Sequence, residues 1–209
     1  MLLAALLLIN GCAAIRAKRA APGKTCVASW YGPEFAGRKT ASGQRYIMSG
    51  RTAASRSLPF GTILKITSPS NGRSTTVTVN DRGPFKRGRC LDLSYRAAAD
   101  IGLIGRGSGP VSYEVLGRDP SYMKTVRYDP SSGPGPYFIQ VGSFRELSNA
   151  LRFKSALEAD YSGVYLRKTN DREGKTVYRV GVGDFANRKA AGQTASKLAA
   201  EGYSVLVTK

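Results

Sequence analysis

The sequence contains no histidine, and this absence excludes several kinds of catalytic site. Without histidine there is no Ser-His-Asp or Cys-His catalysis, no histidine-ligated zinc and no histidine general base. The three cysteines, Cys12, Cys26 and Cys90, lack the spacing of a zinc site. Any acid/base chemistry must therefore fall to Asp, Glu, Lys or Tyr, and nothing in the sequence indicates a metal or an organic cofactor.

Acidic residues are scarce as well. The chain has 14 Asp and Glu against 32 Lys and Arg, which gives a formal net charge of +18. Such a charge attracts polyanions, namely nucleic acid, anionic lipid headgroups or an acidic cell-wall polymer. The basic residues are spread along the chain, so charge alone does not choose among these partners. With 42% hydrophobic and 22% charged residues, the composition is that of one or two ordinary globular domains.

The apolar run near the N-terminus, residues 2–9, is too short to span a bilayer, which needs about 20 residues. It leads into Ile9-Asn10-Gly11-Cys12, which resembles a bacterial lipobox, although the usual positively charged segment before the run is missing. We therefore predict a lipoprotein signal peptide at residues 1–11, lipidation of Cys12 and a basic tether at residues 12–24. The alternative is an apolar N-terminus with a buried cysteine. Export makes the membrane a partner through Cys12 and removes nucleic acid from the expected partners.

Export also affects the two remaining cysteines. Cys26 and Cys90 both lie beside predicted strands, and an oxidising compartment would let them pair. A bridge between them would close a long loop, which stabilises a fold by roughly 2–4 kcal/mol. We expect this bridge, and two separate buried thiols are the alternative.

Residues 25–117 are predicted to form a small β-barrel. The segment is rich in Gly, Thr, Val and Tyr and has closely spaced turn signals, which is typical of many short strands. Asn71-Gly72 indicates a hairpin turn, and a helix capped by Ser94 is predicted at residues 94–101. The predicted strands are residues 26–31, 52–54, 63–67, 75–80, 90–93 and 111–116.

Residues 118–136 contain Asp119-Pro120, Asp129-Pro130 and a run of Ser, Gly and Pro, so they are predicted to be a linker. A second domain is predicted at residues 137–209, where an internal repeat places a Gly turn between a strand and a helix. The helices are expected at residues 148–159 and 189–201. With the strands between and after them, the order is βαββαβ, a ferredoxin-like arrangement. The fold class is therefore mainly β plus α+β.

The most informative motif is Asn80-Asp81-Arg82-Gly83-Pro84-Phe85. A β-branched strand delivers Asp81 to a sharp turn, so its carboxylate is presented from a fixed backbone. This placement suits an acid/base group. On spacing alone, an Asp whose side chain caps the turn is the favoured interpretation, and both interpretations stay open.

Several motifs are shared with a known family. In the first domain they include Ala28-Ser29-Trp30-Tyr31-Gly32, Leu58-Pro59-Phe60-Gly61-Thr62, the Asp81 motif and Asp92-Leu93-Ser94-Tyr95; in the second they are Gln140-Val141-Gly142-Ser143-Phe144 and Val182-Gly183-Asp184-Phe185. Through them, residues 26–117 resemble the six-stranded double-psi β-barrel of the rare lipoprotein A family, and residues 137–208 resemble a sporulation-related repeat (SPOR) domain. Lipobox, barrel, linker and SPOR domain in this order is that family's architecture.

The resemblance implies a lipoprotein on the periplasmic face of the outer membrane, enriched at the division septum. It implies an endolytic peptidoglycan lytic transglycosylase, which cleaves the β-1,4 bond between N-acetylmuramic acid and N-acetylglucosamine without water and leaves a 1,6-anhydro end. The SPOR domain implies binding to glycan strands stripped of their stem peptides. Peptidoglycan glycan strands are thus the expected partner, with septal proteins as further candidates.

Asp81 is the predicted catalytic residue, first as proton donor to the leaving oxygen and then as acceptor from the sugar's C6 hydroxyl. For this role, burial would have to raise its pKa. The family's motif has Glu where this chain has Gln44 and His where it has Ser55, and neither replacement readily moves a proton. We expect Tyr31, Gln44, Ser55 and Arg82 to line the substrate groove.

These departures keep a second function open, a catalytically inactive peptidoglycan-binding outer-membrane lipoprotein. A basic lipoprotein held by charge alone is a third. Glu34, Tyr46 and Asp92 are candidate helpers of Asp81, although Glu34 is also explained as a surface charge and Asp92 as a structural turn carboxylate.

Candidate glycan contacts in the second domain are Gln140, Ser143 and Arg179. Gln and Ser pair with sugar hydroxyls, and Arg reaches a muramyl carboxylate. Packing between strands and turns is the favoured explanation of each residue taken alone.

Overall fold

A computed structural model describes residues 23–130 and 136–209 of the chain. The predicted signal peptide, Cys12 and the tether up to residue 22 lie outside the described residues. The tether was predicted to reach residue 24, but Lys24 already begins the first strand. Within the two described ranges, no helix has the length and apolarity needed to cross a bilayer.

The first domain is a closed six-stranded barrel, which confirms the predicted architecture. Its strands follow the order β1-β5-β2-β4-β3-β6 around the barrel. They are β1 (Lys24–Trp30), β2 (Thr52–Ser55), β3 (Thr62–Thr67), β4 (Ser74–Asp81), β5 (Arg89–Leu93) and β6 (Ser108–Arg118).

The barrel core follows from the alternation of side chains along each strand. In β4, Thr75, Val77 and Val79 are buried, while Ser74 and Thr76 between and beside them are exposed. This period-two pattern directs one face of the strand inward. The short helix α1 (Tyr95–Asp100) begins at Ser94, whose hydroxyl accepts a hydrogen bond from the Ala97 amide.

Cys26 of β1 and Cys90 of β5 form a disulfide, with their Cα atoms 6.0 Å apart. The two strands are parallel neighbours, paired from Val27 with Arg89 to Trp30 with Leu93. The bridge therefore ties together two strands that lie 64 residues apart in the sequence.

The second domain is a five-stranded sheet with the order β7-β11-β8-β10-β9, and its last four strands confirm the predicted ferredoxin-like order. Two helices cover one face through small and apolar residues, among them Ala150, Phe153, Ala195 and Leu198. The elements are β7 (Val126–Tyr128), β8 (Tyr137–Phe144), α2 (Leu147–Glu158), β9 (Val164–Asn170), β10 (Thr176–Phe185), α3 (Arg188–Ala200) and β11 (Val205–Thr208).

Part of the segment predicted to be a linker, residues 118–136, forms regular secondary structure. Strand β6 extends to Arg118, a 3-10 turn forms at Pro120–Tyr122, and β7 joins the second sheet at its edge. Strand β7 pairs in parallel with β11, the last of the described strands. Composition did not reveal this strand because its partner lies about 80 residues further along.

Candidate active site and the aromatic sheet face

Asp81 ends strand β4, and its carboxylate is held by three hydrogen-bond donors. Its Oδ1 accepts from the backbone amides of Ala41 and Arg82, both at 2.8 Å. Its Oδ2 accepts from the hydroxyl of Tyr31 at 3.0 Å. The Asp81 residue itself is only partly buried. The carboxylate is therefore fixed in direction.

The two carboxylate oxygens differ in their remaining capacity to accept hydrogen bonds. Each oxygen of an ionised carboxylate accepts about two hydrogen bonds. The two amides occupy Oδ1, whereas the hydrogen bonds described for Oδ2 include only the one from Tyr31. We take Oδ2 as the oxygen that is able to carry and exchange a proton.

The pKa of Asp81 is raised from its ordinary value, chiefly because burial disfavours the charged form. The hydrogen bonds from Ala41, Arg82 and Tyr31 and the positive charge of Arg82 oppose this rise. The pKa of Tyr31 is raised well above its ordinary value by burial, and then by the charges of Asp81 and Asp92. Tyr31 therefore keeps its proton at neutral pH and remains a donor.

A second carboxylate lies on the same part of the barrel. Ala54 of β2 is paired with Asp81 on one side and with Asp92 of β5 on the other. Residues opposite each other on paired strands share a face, and two strand spacings separate the pair by roughly 10 Å between Cα atoms. Burial raises the pKa of Asp92, opposed by a hydrogen bond from Ser29 and the charge of Arg89.

The structure separates the four residues predicted to line a groove. Tyr31 contacts Asp81 directly. The side-chain oxygen of exposed Gln44 accepts from the side-chain amide of Asn80, the residue before Asp81, at 2.9 Å. Ser55 and Arg82, in contrast, are 4% and 6% exposed. The Ser55 hydroxyl accepts from the Leu58 amide, which fixes a turn. The structure therefore does not place these two side chains at an open groove, and the rings of Phe60 and Tyr203 lie against the Arg82 guanidinium.

The two remaining candidate helpers are Tyr46 and Glu34. Tyr46 is buried, its ring centroid lies 5.2 Å from that of Tyr31, and its hydroxyl accepts from the Tyr95 amide. Glu34 is exposed and its charge raises the pKa of Tyr46, after the larger effect of burial. Tyr46 thus packs against Tyr31, Glu34 acts on Tyr46, and Asp92 is the candidate that lies in register with Asp81 across β2.

Replacing Asp81 with Asn is expected to stabilise the fold at neutral pH. A folded-state pKa above the unfolded value means that stability is present below the unfolded pKa, about 3.9, and is lost as pH rises through the folded pKa. Asn cannot ionise and avoids this loss. Thermal unfolding followed from pH 3 to 8 should give the variant the higher melting temperature near pH 7 and equal values near pH 3. A lower melting temperature at pH 7 would contradict the assigned pKa direction.

The second domain carries an aromatic cluster on the sheet face away from its helices. Ile139 and Val141 of β8 are buried, so the alternate residues Phe138 and Gln140 face the other way. The rings of Phe138 and Tyr165 meet edge to face with centroids 5.7 Å apart. The guanidinium of Arg167 lies 5.4 and 5.6 Å from the two centroids.

Glycines make room for this cluster. A Cβ at Gly181 would lie 2.6 Å from the Tyr165 hydroxyl, and one at Gly183 would lie 2.4 Å from the Phe138 ring. Any side chain at these positions would displace the rings. We name Phe138, Tyr165 and Arg167 the aromatic sheet face.

The three predicted glycan contacts lie on strands β8 and β10 of the same sheet. Arg179 is exposed and pairs in register with Arg167 and with Ser143. The positive charges of Arg167 and Arg179 both lower the pKa of Tyr165, against the larger upward effect of burial. Gln140 pairs with Gly181. Sequence reasoning missed Phe138, Tyr165 and Arg167; the alternation in β8 and β9 beside Gly181 and Gly183 was the available signal.

Comparison with protein families identifies both domains. A family described as lytic transglycolase, of the double-psi β-barrel type, matches residues 24–113, and the SPOR domain family matches residues 133–209. The chain therefore combines a lytic-transglycolase-type barrel with a SPOR domain.

Curated relatives similar to this chain carry the name endolytic peptidoglycan transglycosylase RlpA. The endolytic peptidoglycan transglycosylase RlpA of Vibrio cholerae is 35% identical over 179 residues, 84% of this chain and 65% of the relative. That of Campylobacter jejuni is 41% identical over 140 residues, 59% of this chain and 50% of the relative. The chain belongs to the rare lipoprotein A family.

The chain spans only part of these relatives, between 25% and 65% of the length of the first four. Among solved structures, a Clavibacter michiganensis expansin in complex with cellohexaose matches 78% of this chain and 97% of its own, at 18% identity and a TM-score of 0.37. A score this low supports no argument about function.

Proposed function

We propose that the chain is an endolytic peptidoglycan lytic transglycosylase that uses Asp81 as its acid and base. The observation that carries this proposal is the Asp81 carboxyl group, fixed by three donors, raised in pKa by burial and left with accepting capacity on Oδ2. The transglycosylase names of the relatives support it.

The reaction needs a single carboxyl group. In the first step, protonated Asp81 gives its proton to the glycosidic oxygen as the bond from that oxygen to C1 of the muramyl residue breaks. In the second step, the C6 hydroxyl of the same sugar attacks C1 and the Asp81 carboxylate accepts its proton. The product is the 1,6-anhydro end, no water is consumed, and Asp81 is protonated again.

The contacts of the neighbouring side chains indicate their roles in the reaction. The attacking hydroxyl belongs to the same sugar, so proximity replaces the activation of a water molecule. Tyr31 keeps its proton and orients Oδ2 in both protonation states. Asp92, in register across β2, supplies negative charge on the same barrel face, which favours the positive charge that develops on the sugar ring.

The aromatic sheet face supports glycan binding by the second domain. Sugar rings present C–H groups that pack on aromatic faces, and muramyl carboxylates pair with guanidinium groups. Phe138 and Tyr165 offer the first kind of contact, and Arg167 and Arg179 the second. We further propose that the glycan is free of stem peptides, and that the protein acts at the septum, anchored to the outer membrane through Cys12.

A direct test is digestion of purified sacculi, with and without prior amidase treatment, followed by mass spectrometry of the released glycans. The proposal predicts products with 1,6-anhydromuramyl ends, and more of them after amidase treatment. Products with reducing ends would instead show hydrolysis, and no products would leave only a binding role.

A binding-only lipoprotein is the second candidate, and the contacts of Gln44 and Ser55 favour it. The Gln44 side-chain oxygen accepts from Asn80 and from Tyr122, and Ser55 fixes a turn, so neither is placed to move a proton. In this case the protein would be retained on sacculi without releasing any fragment.

Replacing Arg167 with Ala should weaken binding to peptide-free glycan strands by about tenfold, since it removes a guanidinium that stacks on two rings. Arg172→Ala is the matched control, because Arg172 is an exposed residue of the β9–β10 turn and its loss changes the net charge equally. Sedimentation with amidase-treated sacculi measures both. Equal weakening in the two variants would assign the effect to net charge alone.

A further inference from the structure

Arg82 is held by both domains. Its backbone amide donates to Asp81, and its guanidinium Nη1 donates to the carbonyl oxygen of Leu58 at 3.0 Å, both within the barrel. Its Nε donates to the hydroxyl of Tyr203, which follows helix α3 in the second domain. Arg82, the residue next to the proposed acid, therefore forms hydrogen bonds with both domains.

The Arg82 guanidinium is a buried charge without a carboxylate partner in the described residues. Carbonyl oxygens, one hydroxyl and two aromatic faces surround it, and its central carbon lies 3.8 Å from the ring centroid of Phe60 and 4.8 Å from that of Tyr203. A buried charge depends on each of its hydrogen bonds, because an unmet donor there is costly. The Tyr203 hydroxyl is the acceptor that Nε uses.

Backbone contacts set the position of Tyr203. The amide of Phe60 donates to the Glu201 carbonyl, and the amide of Lys124 to the Ala199 carbonyl, both at 3.0 Å. Gly202 has a φ of +98°, and a Cβ there would lie 2.9 Å from Cβ of Phe60. Only glycine fits this junction, so the end of α3 packs directly on the barrel.

The residue before Asp81, Asn80, shares a hydrogen-bond acceptor with a residue that follows the barrel strands. Tyr122, in the segment between the domains, donates its hydroxyl to the Gln44 side-chain oxygen at 2.8 Å. The Asn80 side-chain amide donates to the same oxygen at 2.9 Å. The residues before and after Asp81 are thus both connected to parts of the chain that follow the last barrel strand.

We propose that Tyr203 of the second domain is a positioning residue for the barrel's site, because it fixes Arg82 and through it the direction of the Asp81 carboxylate. Its effect on turnover rests on the proposed function, whereas its effect on Asp81 itself does not. A fragment that lacks the second domain would expose Arg82 and Phe60, so point variants of the full chain are the appropriate probes.

Tyr203→Phe removes the hydroxyl and keeps the ring. The Arg82 amide and the Arg82 charge both favour ionised Asp81, so a looser Arg82 should raise the pKa of Asp81. Tyr178→Phe is the matched control, since Tyr178 lies in β10 of the same domain and contacts neither Arg82 nor Asp81 among the contacts described. The test is a carbon-13 NMR titration of the Asp side chains in the full chain, with the Asp81 signal identified by its loss in Asp81→Asn.

The expected result is an upward shift of the Asp81 titration in Tyr203→Phe and none in Tyr178→Phe. If sacculus digestion shows anhydro ends, kcat in Tyr203→Phe should fall about tenfold at unchanged KM, the size expected for one hydrogen bond to a charged group. A lower melting temperature with an unchanged Asp81 titration would mean a purely structural role and would overturn the proposal.

Two further comparisons distinguish failure of the Tyr203 proposal from instability of the variant and from failure of the proposed function. If Tyr203→Phe is too unstable to titrate, Arg82→Lys replaces it, because Lys keeps the charge but lacks the Nε–H donor; the same upward shift is expected, and its absence overturns the proposal. If the wild-type chain yields no anhydro ends, the proposed function fails, and the titration still decides the role of Tyr203.

Discussion

Asp81→Asn should lower the rate of anhydro-end formation from sacculi by about 100-fold or more, because positioned acid/base groups contribute roughly 10²–10⁴-fold. Asn accepts from the amides of Ala41 and Arg82 as Asp does, so the geometry of the turn is kept while the exchangeable proton is lost. Mass spectrometry of products at several times, at a fixed protein concentration, measures the rate.

Glu173→Gln is the control for this variant. Glu173 is exposed in the turn between β9 and β10, where it pairs with Lys175, and its replacement makes the same change of charge. The control should digest sacculi at the wild-type rate, and binding of sacculi should be unchanged in both variants. Anhydro ends released by Asp81→Asn at the rate of the control would assign the proton transfers to another residue.

Removal of the disulfide should have the largest effect on stability. Cys26 and Cys90 are 64 residues apart, and a loop of this length confines the unfolded chain enough to stabilise the fold by about 4 kcal/mol. The double variant Cys26→Ser, Cys90→Ser should therefore unfold at a much lower denaturant concentration. Trp30, the one tryptophan of the sequence, ends barrel strand β1 and reports barrel unfolding by fluorescence.

Reduction provides the matching comparison. Wild-type protein treated with a thiol reductant should lose the same free energy of unfolding as the double variant, and the reductant should not change the double variant further. Both measurements use a Cys12→Ser background, so that no other thiol exchanges. A loss below about 1 kcal/mol would show that the reduced chain already holds β1 and β5 together when unfolded.

Local patterns predicted the barrel and the position of Asp81. Strand β4 alternates buried and exposed residues, and Asn80-Asp81 comes where the alternation ends in a Gly-Pro turn. Such signals lie within a few residues of each other and need no knowledge of distant partners. For the same reason Ser94 was found as a helix cap.

Contacts between distant residues could not be predicted in this way. Arg82 looked like a groove residue because its partner Tyr203 is 121 residues away. Strand β7 looked like linker because only pairing with β11 orders it. The aromatic sheet face needed the register of β8, β9 and β10 before Phe138 and Arg167 were seen to meet.

Strand β11 lies between β7 and β8, although it is synthesised after both of them. A chain that emerges from its N-terminus can close the barrel first, since all six barrel strands precede residue 119. Strand β7 then gains a neighbour only after residues 205–208 have been synthesised. A product truncated before residue 205 would keep its barrel and carry a bare strand edge, which is a target for proteases and a seed for aggregation.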